Sequence, residues 1–445
     1  MHGIFQPFLS LTFIGLGLLA ATEEAPMVES SLDISPVWSG HPVSFALLTQ
    51  APHQYVAFYD DQRRMTVAYR KLDMLDWQFV RLPETIKWDS HNYITMTIDD
   101  DGYIHLSGNM HCVPLVYFRT TRPYDIDSLQ RIPSMVGDTE QRCTYPRFLR
   151  GANDELLFTY RDGSSGNGDQ IYNVYDMESQ TWQRLLDQPL TSGDGKMNAY
   201  FHGPKRGPDG FFHLCWVWRD TPDCATNHDL SYARSRDLVS WETSDGKPLS
   251  LPITLETAEI VDPVPAGGGI INGNTVLGFD SQNRPVISYH KYDGQGYTQI
   301  YNARLEKDGW EIYQTSQWNY RWEFKGGGSI PFEVRIGSVR VEPEGRLSQG
   351  YRNPKHGSGQ WLLDEATLKP VGEKPVKPSY PSALNRVESQ FPGIQIRRAG
   401  DLGRSSEPGV RYILQWETLG SNRDRPRDGD VPPPSMLRLY KLTSN

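Results

Sequence analysis

One pattern recurs from residue 43 to the end of the chain: four short apolar or alternating runs separated by polar turns, the fourth often carrying tryptophan. The first round reads VSFALLT, QYVAFYDD, RMTVAYRKL and WQFVRL. The next passes through YITMTIDD, the Asp101-Gly102 turn, YIHLSGN and LVYFRTT. Counting on through Trp182, Trp241, Trp310 and Trp361 to MLRLYKL gives seven such units, each of roughly 40 to 60 residues, as expected of propeller repeats. Within a run, as in Tyr93-Ile-Thr-Met-Thr-Ile-Asp, every second residue is apolar, which suits a strand buried on one face. A two-sheet sandwich also makes short strands at regular spacing. Seven units and no long helical stretch favour an all-β, seven-bladed β-propeller of four-stranded antiparallel blades. Residues 43–445 are expected to form that single domain, with 22–42 a lead-in. Residues 371–384, rich in Pro and Lys, are expected to be an extended connection between the last two blades.

The composition agrees with this architecture. The chain spends 40 Gly and 32 Pro, the costliest residues inside a helix, on what seven blades need as turns. With 45 Lys+Arg against 54 Asp+Glu the net charge is −9, which argues against a nucleic-acid partner held by a broadly basic surface. The apolar run 8–21 is too short for a comfortable membrane span and leads into a polar stretch, so 1–21 reads as a signal peptide although its first residues lack Lys and Arg. No later run is long and apolar enough to span a bilayer, and the expectation is a secreted or periplasmic monomer without stable membrane insertion. In an oxidising compartment Cys112, Cys143, Cys215 and Cys224 could form two disulfides.

Chemistry is sought in polar residues that the repeat brings together. His91 and His111 flank one strand-turn-strand of the second unit, a spacing that can return both to the same end of a blade. Tyr145 and Arg161 stand at a similar spacing in the third unit. Arg142, Arg147, Arg150 and Arg161 concentrate positive charge inside an acidic protein, and arginine neighbours favour a phenolate and grip carboxylates with two parallel hydrogen bonds. Tyr200 and His202 begin the fourth unit. A second group, His213, Cys224 and His228 with His290, offers the nitrogen and sulfur donors zinc prefers, at a spacing that matches no standard motif; a Cys215–Cys224 disulfide is the alternative. No organic cofactor is expected.

The combination of QYVAFYD, HNYITMTIDDDGYIHLSGNMH, YPRF and FTYRDGSSGNG resembles the propeller family labelled BNR-repeat-like, which includes ulvan lyases and rhamnosyl-glucuronate lyases. The resemblance covers about 43–322, is sharpest between His91 and His111, and lacks the Asp-box signature of the sialidases. It implies active-site roles for His91, His111, Tyr145 and Arg161, with Tyr200 a fifth; Tyr200, Arg147 and His202, near them on adjacent units, are expected to contact substrate. It also implies a structural metal, a zinc in the first instance, held by His and Cys, which points to His213, Cys224, His228 and His290. The implied substrate is an anionic polysaccharide with rhamnose linked to the 4-position of a uronate.

The corresponding expected chemistry is β-elimination, in which the uronate C5 proton is removed and the oxygen at C4 leaves. Arg161 would neutralise the carboxylate, and Tyr145, its pKa lowered by arginine, would act as base and acid, with His91 as the alternative base and His111 orienting or neutralising. A rhamnosidase working through the region of His53-Gln54 is one rival. Another is a non-catalytic propeller that stacks sugars on Trp216, Trp218 and tyrosines.

Overall fold

The computed structural model describes residues 26–376, 378–403 and 407–444; the proposed signal peptide at 1–21 lies outside them. Seven antiparallel sheets of four or five strands follow one another along the chain, and no helix longer than a single 3-10 turn occurs among the described residues. Setting aside strands lent from elsewhere in the chain, the sheets begin with Ala46–Gln50, Ile94–Ile98, Cys143–Arg150, Asn198–Arg206, Val276–Phe279, the broken pair Arg335–Ile336 and Arg340–Val341, and Ile394–Gly400, which form their inner strands. Ala46–Gln50 contacts Ile94–Ile98 on one side and Ile394–Gly400 on the other, so the first and last sheets are neighbours and the array closes into a ring. Among the described residues no helix is long and apolar enough to cross a membrane.

Local sequence explains the hairpins. Ile94–Ile98 alternates buried and half-buried side chains, as a strand with one face on the core must. At its end the Asp99 Oδ1 accepts hydrogen bonds from the backbone N–H of Asp101 (3.1 Å) and Tyr103 (2.8 Å), and Gly102 supplies a positive φ of 87°. The same Asp-headed turn recurs at Asp60, which receives the N–H of Gln62 and Arg64, and at Asp280, which receives those of Gln282 and Arg284. An aspartate that bonds its own downstream backbone is a turn-former for that reason. Between sheets the packing is aromatic: Phe45 of the first stacks on Trp416 of the last at 4.5 Å, and the Trp182 indole N–H reaches the Tyr117 hydroxyl at 3.0 Å.

Several expectations are corrected. The lead-in contains a strand, Met27–Val37, which pairs with the last strand Ser435–Thr443 and forms the outer edge of the seventh sheet. The stretch 371–384 is not wholly a connection, since Pro370–Lys374 is the outer strand of the sixth sheet. The second sheet is completed by Leu129–Ile132, a strand with no tryptophan to mark it. All four cysteines are free thiols, so neither disulfide forms. Trp216 and Trp218 are fully buried and cannot present a face to sugar.

Candidate active site

The site lies where the loops entering the innermost strands converge. His91 sits just before Ile94–Ile98. His111 reaches it because its short strand, His111–Val113, leaves the second sheet and pairs with Cys143 and Thr144 at the edge of the third. The two imidazole rings stack at 4.1 Å. Between them Asp89 is shared: its Oδ1 takes the His91 backbone N–H (2.9 Å) and faces His91 Nδ1 (2.8 Å), and its Oδ2 faces His111 Nδ1 at 2.5 Å. With both Nδ1 positions held, the Nε2 atoms remain for the pocket.

Tyr145 arrives by a break in its strand. The register between Cys143–Arg150 and Leu156–Ser164 shifts between Thr144 and Arg147, and Tyr145 takes a φ of 59° there. A bulge of this kind re-aims a side chain that regular alternation would send elsewhere. The ring of Tyr145 comes within 5.6 Å of His91 and 6.1 Å of Tyr200. Arg161 lies beneath, with its Cζ 5.0 Å from the Tyr145 ring centre; its guanidinium donates to Thr144 Oγ1 (3.1 Å), Cys112 Sγ (3.4 Å) and the Tyr200 hydroxyl (3.4 Å). Arg161 is only 2% exposed and has no carboxylate partner among the described residues, and its Nε bonds nothing. Buried charges are ordinarily paired, so an unpaired buried guanidinium is a place for an anion. Tyr200 bonds Ser165 Oγ at 2.7 Å, and Arg219 packs against its ring at 5.5 Å. A cavity of about 410 Å³ is lined by His91, His111, Tyr145, Tyr200 and Arg219. A second of about 240 Å³ adjoins it through Tyr145, Arg161 and Tyr200, with Arg147 on its wall.

Electrostatics divide these groups. Burial, reinforced by Tyr200, pushes the Tyr145 phenol up, and the opposing pull of Arg161 and Arg219 is smaller. The lowered pKa expected from its arginine neighbours is therefore overturned: desolvation of the phenolate outweighs them. For His91 burial works downward, but hydrogen bonds and charge from Asp424 and Asp89 outweigh it and raise the imidazole to about 9. Asp89 and Asp424 are half-buried, which works upward, yet their histidine partners hold both carboxyls well below the usual carboxylate range.

Other expected residues lie elsewhere. Arg150 pairs with Asp100 at 3.2 Å and lines neither cavity, whereas Arg147 lines the smaller cavity while donating to the Gly203 carbonyl at 2.6 Å; of the four arginines the one that bonds Tyr200 is Arg161. Its cationic companion is Arg219, from the next sheet. His202 lines neither cavity; burial, then Lys205 and Arg147, push it down to about 4. The four presumed zinc ligands do not converge. His213 pairs with Arg234 and His228 sits opposite Trp218, five residues further along that strand, about 16 Å at the ordinary strand rise. The His213 ring nitrogens face Tyr232 and Asp209, and those of His228 face Asp229 and Asp220. His290 is buried with both ring nitrogens unpartnered, against Trp322. Among the described residues the group of His, Cys, Asp and Glu donors found within 4.8 Å of one another is instead Asp89, His91 and His111, a triad closed by its own hydrogen bonds. As a zinc cage the four residues do not fit.

Sequence reasoning missed Asp89, Asp424, Ser165 and Arg219. Asp89 stands two residues before His91, where an Asp-x-His pattern could have signalled it. Asp424 lies 334 residues from the loop it enters and carries no local mark.

The fold and site define a seven-bladed propeller with a histidine–tyrosine–arginine pocket at the mouth of its axis, and the chain belongs to the BNR repeat-containing family, whose model matches residues 53–318. Among characterised proteins it is similar to an ulvan lyase of Pseudoalteromonas sp. (strain PLSV), 24% identical over 233 residues, 45% of this chain and 46% of that one. An ulvan lyase of Alteromonas sp. (strain LOR) is 21% identical over 231 residues, 45% of this chain and 47% of its own. The chain thus spans about half the length of the curated relatives it matches. In three dimensions it resembles the polysaccharide lyase Uly1, with TM-score 0.61, 13% identity and coverage of 94% of this chain and 99% of that one. A PL25 ulvan lyase solved with -[GlcA(1-4)Rha3S]- gives TM-score 0.57, 16% identity and coverage of 92% and 95%. These structures share the fold.

Proposed function

We propose that the protein is a secreted or periplasmic polysaccharide lyase that cleaves a rhamnose- and uronate-containing anionic polysaccharide by β-elimination. The observation that carries this reading is Arg161, a buried guanidinium without a carboxylate among the described residues, lining the smaller cavity, which adjoins through Tyr145 and Tyr200 the one that holds the Asp89-bonded histidines. The similarity to ulvan lyases supports the substrate class.

The uronate carboxylate binds Arg161, with Tyr200 and His111 alongside, so that charge developing on it when C5 loses its proton meets a fixed guanidinium and hydrogen-bonding groups. Of the two candidate bases, His91 has the smaller cost. Lifting its proton at pH 7 from a pKa of about 9 costs about 3 kcal/mol. Tyr145, raised by burial, would cost more. His91 Nε2 therefore takes the C5 proton and Tyr145 gives its phenolic proton to the oxygen leaving C4. The C5–H and C4–O bonds break and a C4=C5 double bond forms. One new chain end is a 4,5-unsaturated uronate and the other a hydroxyl. Hydrolysis is disfavoured because Asp89 and Asp424, the carboxylates at the pocket, are held by histidines rather than set apart around open space. Gln54, in the rival region, is buried and bonded to Thr49 and Arg70.

Incubation with ulvan and with a rhamnose-capped plant gum tests this. The expected product absorbs in the ultraviolet through its conjugated double bond. New reducing ends without absorbance would indicate hydrolysis, and binding without new ends a non-catalytic propeller.

A further inference from the structure

The loop between Val410–Leu419 and Ser435–Thr443, in the last sheet, carries Asp424 up to Ser90 and His91. Asp424 is only 7% exposed and takes a φ of 56°, next to Arg423 at 52°, so two consecutive non-glycine residues hold a conformation that side chains disfavour. Its carboxylate gathers four segments. Oδ1 accepts from Ser90 N–H (2.9 Å), Ser90 Oγ (2.8 Å) and Ser329 Oγ (2.9 Å), and faces His41 Nε2 at 3.1 Å. Oδ2 accepts from Ser329 N–H at 2.7 Å and lies 3.4 Å from His91 Nδ1. Arg423 fastens the same loop through the Lys325 carbonyl at 2.8 Å. The first sheet's entrance, the second's, the sixth's and the last thus meet on one carboxylate.

From this geometry we infer that Asp424 is a positioning residue for His91: it tethers the imidazole from across the ring, sharing the Nδ1 side with Asp89 so that Nε2 is directed into the pocket. The inference rests on the reading of His91 as the base. The titratable groups around His91 are Asp89, Asp424, His111 and Tyr145, with His41 behind Asp424. Two carboxylates on one imidazole make it a stronger base and also hold its proton longer. Without Asp424, His91 sheds its proton at lower pH but is less firmly aimed.

Asp424→Asn is nearly isosteric and removes the charge. In it, the His91 ring titration, followed by NMR without substrate, is expected to fall by roughly one pH unit. The rising limb of kcat/KM should move down by the same amount, while kcat at its plateau drops about 10-fold and KM changes little, the signature of a base less well placed. Ser329→Ala loosens the loop without touching His91 and should produce a smaller shift in the same direction. If Asp424→Asn does not fold, Ser329→Ala carries the test. A His91 titration unmoved in a folded Asp424→Asn protein, or in Ser329→Ala when that variant carries the test, overturns the inference. Because the titration needs no substrate, that outcome is distinct from failure of the lyase reading, which would show as absent product with the titration shifted.

Discussion

Tyr145 and His91 are both pressed to keep their protons, the first by lack of solvent and the second by two carboxylates. The rate should therefore climb with pH as His91 becomes neutral, with a midpoint near 9, and a kcat/KM profile flat from pH 6 to 9 would exclude His91 as base. Tyr145→Phe removes only the proton donor and should lower kcat by about 10²- to 10⁴-fold with an unchanged melting temperature. Arg161→Lys keeps the charge but not the two-pronged grip, and should lose much of kcat/KM. Stability has its own pH dependence. The raised pKa of His91 means its contribution is complete below the ordinary histidine value of about 6.5 and is lost as pH rises through about 9. The depressed carboxyls of Asp89 and Asp424 contribute above about 4 and fail on acidification below it. Thermal melts across pH should show a plateau between these limits. At this scale the sequence brought His91, His111, Tyr145 and Arg161 into one neighbourhood, because their spacing follows a hairpin, while their chemical roles belong to the proposal. It could not foresee the Tyr145 shift, which depends on how completely three sheets exclude water.

Strands were legible where hairpins are tight and aspartate heads the turn, and less so where an element departs from its own sheet. His111–Val113 pairs with the third sheet rather than the second, and no periodicity announces a change of partner. The bulge at Tyr145 is equally silent, since the residues on either side alternate as an ordinary strand would. The innermost strands approach so closely that side chains are excluded between some of them: a Cβ added to Gly278 would lie 2.2 Å from the Val339 carbonyl oxygen. Gly278→Ala should consequently destabilise the protein by about 1–3 kcal/mol in urea unfolding, with the fifth and sixth sheets forced apart. A variant as stable as the parent would show that this junction is loose.

For the molecule as a whole, the repeat count and ring were legible, but the closure was not. A propeller of seven sheets needs a seam, and here it is made by residues that precede the first recognisable repeat. Deleting Met27–Val37 leaves Ser435–Thr443 as a bare outer edge, and such edges recruit other chains. The truncated protein is expected to melt earlier and to aggregate, read by size exclusion and thermal scanning; a monomer of parental stability would show the seam dispensable. The far-reaching contacts were illegible for the same reason: Asp33 meets Arg438 across 405 residues, and Asp424 meets Ser90 across 334.

That seam also sets an order in time. During synthesis Met27–Val37 emerges among the first of the described strands and Ser435–Thr443 among the last, so one edge waits while every other sheet is made. Domains generally fold as units as they emerge, but this one lacks its final partner until Ser435–Thr443 has been made. Asp424 is equally late. A nascent chain can assemble the histidine pair early, yet His91 gains its second carboxylate only when the ring shuts, which ties the tuning of the proposed base to closure of the seventh sheet.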